Sequence, residues 1–221
     1  MMGLAPDGGL FVPERIPQAD MAVAERLAGE SYAALAGYLA GLFFGGDFDS
    51  QAVQRELDSL YDFPVPLRVV GRGRYTLELF HGPTCAFKDF GAGFMGRAIG
   101  LLGAADERLG ILTATSGDTG KAALEGFRDV EHTKILVFYP DGGVSDIQKL
   151  QMVTQEGSNV CVCAVRGNFD DAQTAVKQVF AKVGGESLLA GKGVRLSSAN
   201  SINIGRLAPQ VVYYFSAYKI P

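Results

Sequence analysis

Between residues 110 and 197 short apolar runs alternate with longer segments of helical spacing, and this rhythm limits the possible folds more than any other feature of the chain. Gly110 to Ala114, Lys134 to Tyr139, Val160 to Val165 and Val194 to Ser197 read as strands. The stretches 120–128, 146–155 and 170–183 between them read as helices. A parallel connection needs a crossover long enough to hold a helix, and the helices then bury both faces of the sheet. The predicted class is therefore α/β, with residues 105–197 as a three-layer αβα domain around a parallel sheet.

The flanks have a different texture. Residues 5–17 are rich in Gly and Pro and read as loop. Residues 20–44 carry Ala, Leu and Tyr at helical spacing, with Gly29, Gly37 and Gly41 as weak points. Residues 49–61 read as an amphipathic helix capped by Asp49 or Ser50. Pro64 and Pro66 break the chain, Tyr75 to Phe80 alternates as a strand, and residues 90–102 return to helical spacing. Residues 1–104 and 198–221 then read as sequence of another domain that flanks this one. The apolar run Val211 to Phe215 has no following sequence to cover it, so the chain reads as a fragment of something longer; the plainer alternative is the final core helix of a complete small domain.

Several classes are excluded. A net charge of −4 with no basic run disfavours nucleic acid and anionic membrane surfaces. No apolar stretch reaches the roughly 18 residues of a membrane span, and residues 1–6 have neither the charge nor the apolar core of a secretory leader. Three cysteines read as reduced thiols of a cytoplasmic protein. Cys161 and Cys163 alternate on one face of a strand, expected to be buried as small hydrophobes. With only two histidines in the chain they make a poor metal site, and none is expected.

Three segments can carry chemistry. In His81-Gly-Pro-Thr-Cys-Ala-Phe-Lys88-Asp-Phe-Gly91 a lysine stands between Phe87 and Phe90 where a helix opens. Apolar neighbours and the positive end of a helix lower an amine's pKa, and a neutral amine forms an imine with an aldehyde. A solvated lysine packing its stem on Phe87 is the plainer alternative. Thr115-Ser116-Gly117-Asp118-Thr119-Gly120 joins a strand to a helix, where free N–H groups and two hydroxyls suit a carboxylate or phosphate. Ordinary capping would use the same residues. Neither a P-loop nor a Gly-x-Gly-x-x-Gly fingerprint is present. Ser197 to Arg206 offers hydroxyls, the amides of Asn200 and Asn203, and an arginine, for a polar ligand or for capping the last helix. Lys121 reads as a solvent-facing residue of a first helical turn.

Four motifs in order resemble the threonine synthase family. They are Gly3-Leu-Ala-Pro-Asp-Gly-Gly-Leu-Phe-Val-Pro-Glu14, Glu78-Leu-Phe-His-Gly-Pro-Thr-Cys-Ala-Phe-Lys-Asp-Phe90, Leu112-Thr-Ala-Thr-Ser-Gly-Asp-Thr-Gly120 and Ser198-Ala-Asn-Ser-Ile-Asn-Ile-Gly-Arg206. The resemblance implies the tryptophan-synthase-β-like fold of pyridoxal-phosphate enzymes. It implies conversion of O-phospho-L-homoserine and water to L-threonine and phosphate, with no nucleic-acid or membrane partner. Lys88 would hold pyridoxal 5'-phosphate and move protons, with Phe87 and Asp118 beside the cofactor. Thr115, Ser116, Gly117, Asp118, Thr119, Asn200, Ser201 and Arg206 would bind the substrate; which side chains grip its phosphate is not assigned by the resemblance, and Arg206 and Lys121 are the candidates. Members of that family are about twice as long, continuing into a Gly-Asn-rich phosphate loop and a contact to the pyridine nitrogen; they also have residues before Gly3 that form an early strand. Cys85 stands where an apolar residue is common. The same residues would serve another pyridoxal-phosphate lyase, or a non-catalytic relative.

Overall fold

The computed structural model describes Ala5 and residues 9–103, 108–185 and 193–218. Gly3, Leu4, Pro6, Asp7 and Gly8 of the first motif, and the 104/105 boundary, lie outside the described residues.

The helical stretch expected over 20–44 is two helices, α1 (Met21–Glu30) and α2 (Tyr32–Phe44). The break falls at Ser31, not at a glycine. Ser31 is extended, its N–H still bonds back to Leu27, and its hydroxyl accepts from the Ala34 N–H to start α2. Helix α3 (Ser50–Leu60) is capped by Asp49, as expected. Strands β1 (Leu67–Gly71) and β2 (Arg74–Leu77) form an antiparallel hairpin. The strand expected over 75–80 is thus shorter and earlier, and its partner was masked by the prolines before it.

Helix α4 (Lys88–Leu102) leads into β3 (Arg108–Ala114), α5 (Asp118–Phe127), β4 (Thr133–Pro140), α6 (Asp146–Val153), β5 (Val160–Val165), α7 (Phe169–Gly185) and β6 (Val194–Ser197). The four strands pair in the order β5-β4-β3-β6, all parallel. Ile111, Ile135, Val137 and Tyr139 pack against α4, α5 and α6 through Met95, Leu124, Phe127 and Met152. Leu112, Ala114, Leu136, Phe138 and Leu196 pack against α7 through Ala172 and Val176. The expected αβα layering is present. Cys161 and Cys163 are not buried: they share the α7 face with Leu136 and Phe138, but α7 packs on β3 and β4 and leaves this edge strand exposed.

A second apolar cluster joins α1, α2 and α3 to one side of α4, with Phe90 ringed by Tyr32, Tyr61, Phe63 and Tyr213. After β6 come α8 (Ile204–Leu207), a 3-10 turn at Ala208–Gln210 and α9 (Val211–Tyr218). The run Val211 to Phe215 is therefore covered in part: Val212 and Tyr213 are buried in this cluster, while Tyr214 is exposed. Helix α4 thus touches both clusters. Its contact with α5 is backbone on backbone, since a Cβ on Gly96 would lie 1.9 Å from the Gly126 carbonyl oxygen.

Candidate active site

Strand order reverses between β3 and β6. From β3 the chain steps to β4 and β5, and α7 then returns it to the other side of β3. In open α/β sheets a crevice forms beyond the carboxyl ends of the strands at such a point. The loops leaving there are Thr115–Gly117 and Ser198–Asn203, and the α4–α5 contact brings the start of α4 alongside the first of them.

Lys88 is the first residue of α4, and its Nζ stands 4.0 Å from Asp118 Oδ2 and 4.2 Å from the Phe87 ring centroid. Burial pushes the amine below the ordinary lysine range, with Arg206 and Lys121 adding to the effect and Asp118 opposing it. The loop before it is held by Asp89, which is 4 % exposed. Asp89 accepts from the Thr84 N–H at 2.9 Å and from the Thr84 hydroxyl. Gly82 has no room for a side chain, because a Cβ would fall 2.6 Å from Asp89 Oδ2.

The start of α5 is built differently. Thr115 is buried and its hydroxyl oxygen accepts from the N–H groups of Gly117 and Gly120. Gly117 takes φ 134°, a region few side chains tolerate. Ser116 is exposed and Thr119 half-buried. Asp118 Oδ1 accepts from Gln148 Nε2 at 2.9 Å and lies 3.5 Å from Lys121 Nζ. Burial raises the Asp118 carboxyl, but the Gln148 hydrogen bond with the charges of Lys121 and Lys88 together carry it below the usual carboxylate range. Lys121 is not solvent-facing as expected. It is 6 % exposed, and its Nζ lies against the Asp118 carboxylate.

In the third segment Asn200 spends its amide on the backbone of Ala114, accepting from the N–H at 3.1 Å and donating to the carbonyl at 2.8 Å. It locks this loop to the end of β3. Arg206 is 1 % exposed, donates through Nη1 to Ser201 Oγ, and has no hydrogen-bond partner at Nε among the described residues. A buried guanidinium N–H left without an acceptor, its charge felt at Lys88, fits an anionic ligand. The structure thus brings Lys88, Asp118, Lys121 and Arg206 into one electrostatic group. Thr115 and Asn200 shape the loops. Sequence reasoning gave no role to Thr84, Asp89 and Gln148. The Ser145-x-x-Gln148 spacing was the one available signal, as a capping box.

A partly buried lysine heading a helix, beside the switch point of a parallel sheet and grouped electrostatically with Asp118, Lys121 and Arg206, is an arrangement that could hold an aldehyde cofactor. The fold is that of the threonine synthases, and comparison with known proteins bears out the motif resemblance. Residues 1–61 match the family model for the threonine synthase N terminus. The chain is 41 % identical over 223 aligned residues to threonine synthase of Pseudomonas aeruginosa and 37 % over 215 to that of Escherichia coli. These alignments cover 98 % and 97 % of this chain but 46 % and 49 % of the relatives. It superposes on the crystal structure of Escherichia coli threonine synthase with a TM-score of 0.87 at 36 % identity, covering 99 % of this chain and 50 % of that one. The structure titled as PLP-bound threonine synthase from Brucella melitensis gives 0.85 at 40 %, covering 98 % and 47 %. The chain therefore spans about half the length of the curated relatives it matches. Among the described residues no helix is long and apolar enough to cross a membrane, and no cluster of three metal-ligating side chains occurs.

Proposed function

We propose that this chain carries the cofactor lysine of a cytoplasmic threonine synthase, in which O-phospho-L-homoserine and water become L-threonine and phosphate. The observation that carries the reading is Lys88: a half-buried amine, lowered in pKa, fixed at a helix start beside an ionised Asp118. In this reading residues 105–197 form the small domain, and 1–104 with 198–221 belong to the large one. Pyridoxal 5'-phosphate, when bound, supplies an electron sink next to the substrate nitrogen.

The chain's own residues would do the rest. Lys88 attaches the cofactor and, once freed, moves protons at Cα and Cβ of the substrate. Phe87 and Asp118 line the cofactor's place. Ser116, Thr119 and the free N–H groups that open α5 receive the substrate carboxylate, with Thr115 and Gly117 holding that loop open. Arg206, steadied by Ser201 and the Asn200 anchor, offers its unpartnered Nε–H to an anionic oxygen, and Lys121 adds charge behind it. Phosphate leaves from Cγ and water adds at Cβ.

The test is to treat the purified protein with pyridoxal phosphate, reduce with borohydride and map peptides, then assay O-phospho-L-homoserine. A reducible adduct on Lys88, absent in Lys88→Ala, with threonine and phosphate released in equal amounts is expected. An adduct elsewhere or none would overturn the assignment. Turnover of phosphoserine or serine instead would point to a different lyase on the same fold.

A further inference from the structure

Gln148 lies on α6, away from the three motifs, and both ends of its amide are engaged. Its Oε1 accepts from the Ser145 N–H and the Ser145 hydroxyl, each at 3.1 Å, while Ser145 Oγ accepts from the Gln148 N–H. This is a complete capping box at the start of α6. The box fixes which end of the amide is which. Two donors face Oε1, so Nε2 is the end that reaches Asp118 Oδ1 at 2.9 Å.

The cap itself does not require that donor. A glutamate at position 148 would serve the box as well, since the box needs only an acceptor. It would also set a second carboxylate against Asp118. The loop leaves room for the amide: a Cβ on Gly117 would lie 2.3 Å from the Gln148 Cδ. The Asp118 carboxylate is thereby divided. Gln148 and Lys121 hold Oδ1, and Oδ2 stands 4.0 Å from Lys88 Nζ, the outer edge of ion-pair contact. Without the Gln148 donor only Lys121, at 3.5 Å, holds Oδ1, and Oδ2 is freer to close on Lys88.

We propose that Gln148 is a positioning residue that holds the Asp118 carboxylate back from Lys88, so that Lys88 stays available as a free amine. The inference rests on Lys88 being the reactive amine of the proposed function. The charged groups around the pair are Asp118 and Lys121 of α5, Asp89 of α4 and Arg206 of α8. Gln148 is the uncharged member, contributed by α6. A freed Asp118 at closer range favours the ammonium form of Lys88 and slows every reaction of its lone pair.

The experiment follows carbamylation of Lys88 by cyanate against pH, read by mass on its peptide, without cofactor. Only the free amine adds to cyanic acid, giving a urea. Gln148→Met keeps the length and removes the donor. It should move the Lys88 midpoint to higher pH, slowing the reaction about three- to tenfold at a pH below the midpoint. Asp118→Asn alone should move the midpoint lower, and Gln148→Met added to it should do nothing further. An unmoved midpoint in Gln148→Met, or the same shift in the Asp118→Asn background, overturns the proposal. If Gln148→Met fails to fold, Gln148→Glu retains the capping acceptor and should raise the midpoint more strongly; no rise overturns the proposal equally. The readout needs no pyridoxal phosphate, so a failed borohydride trap would sink the functional assignment and leave this result standing.

Discussion

Two helices begin side by side at the site, α4 at Lys88 and α5 at Asp118, each with an aspartate in its first turn and a threonine binding the loop before it. The two aspartates behave in opposite ways. Asp89 is turned inward, and burial raises its carboxyl above the ordinary value even though Thr84 and the Ala86 backbone donate to it. Asp118 is turned outward, with 42 % of its side chain exposed, and its donors and cationic neighbours together carry it lower. Both feel the positive end of a helix. The difference is that desolvation decides Asp89, while neighbouring donors and charges together outweigh it at Asp118. The start of α4 is a closed clasp, and the start of α5 is an open rim.

The comparison depends on the two helix starts staying adjacent, and the largest expected effect comes from separating them. Gly96→Ala would drive a methyl into the Gly126 carbonyl, where backbone cannot give way. Destabilisation of about 3 kcal/mol is expected in urea unfolding, with loss of borohydride labelling at Lys88. Stability within about 1 kcal/mol of wild type would show that the seam does not set the spacing.

The next substitution tests clasp against rim directly. Asp89→Ala leaves the buried Thr84 N–H and hydroxyl without their carboxylate acceptor and should cost about 2–3 kcal/mol. Asp118→Ala removes a half-exposed carboxylate from solvent-screened ion pairs and should cost under about 1 kcal/mol. Equal losses in the two variants would erase the distinction.

What the sequence disclosed of this region follows from where its signals lie. The strands of the parallel sheet were legible nearly to their ends, because strands of a parallel sheet read as near-continuous apolar runs. Lys88 and the loop 115–120 were legible because lysine between phenylalanines, and Gly, Ser and Thr clustered at a strand end, are local patterns. The clasp was not. Thr84 and Asp89 meet across a tight loop, and nothing in composition separates an inward aspartate from one that merely favours the helix dipole. Lys121 was misread for a related reason: a first-turn lysine that propensity places in water is buried by tertiary packing, which no local pattern carries. Cys161 and Cys163 failed the other way, since strand pattern does not tell an edge from a centre. Gln148 reaches Asp118 from 30 residues away.

A smaller effect is expected from Thr115→Ala. Its hydroxyl oxygen accepts from Gly117 and Gly120, and these N–H groups then depend on whatever occupies the rim. A loss of about 1–2 kcal/mol is expected in the free protein. An anion such as phosphate should restore part of it in thermal melts, because the rim is open to solvent. Failure of phosphate to raise the melting temperature of Thr115→Ala would mean that the start of α5 is as closed as that of α4.

The smallest effect separates the two carboxyls by pH. Asp118 has a folded pKa below its ordinary 3.8. Its contribution to stability is therefore present above that value and is lost as pH falls through the folded one. Asp89 has a folded pKa above 3.8, so its contribution is complete below that value and is lost as pH rises through the raised one. The wild-type profile of stability against pH should accordingly carry two opposed limbs, on either side of pH 3.8. Asp118→Asn should remove only the lower limb. Its difference from wild type should be a few tenths of a kcal/mol near neutrality, discounted for solvent screening, and should vanish at the acid end. The upper limb should survive unchanged, because burial and the Thr84 and Ala86 donors, not Asp118, set the Asp89 carboxyl. Urea midpoints taken between about pH 3 and pH 6 span both limbs. Loss of the upper limb in Asp118→Asn would mean that the two aspartates titrate as one unit through Lys121, and that clasp and rim are a single electrostatic site.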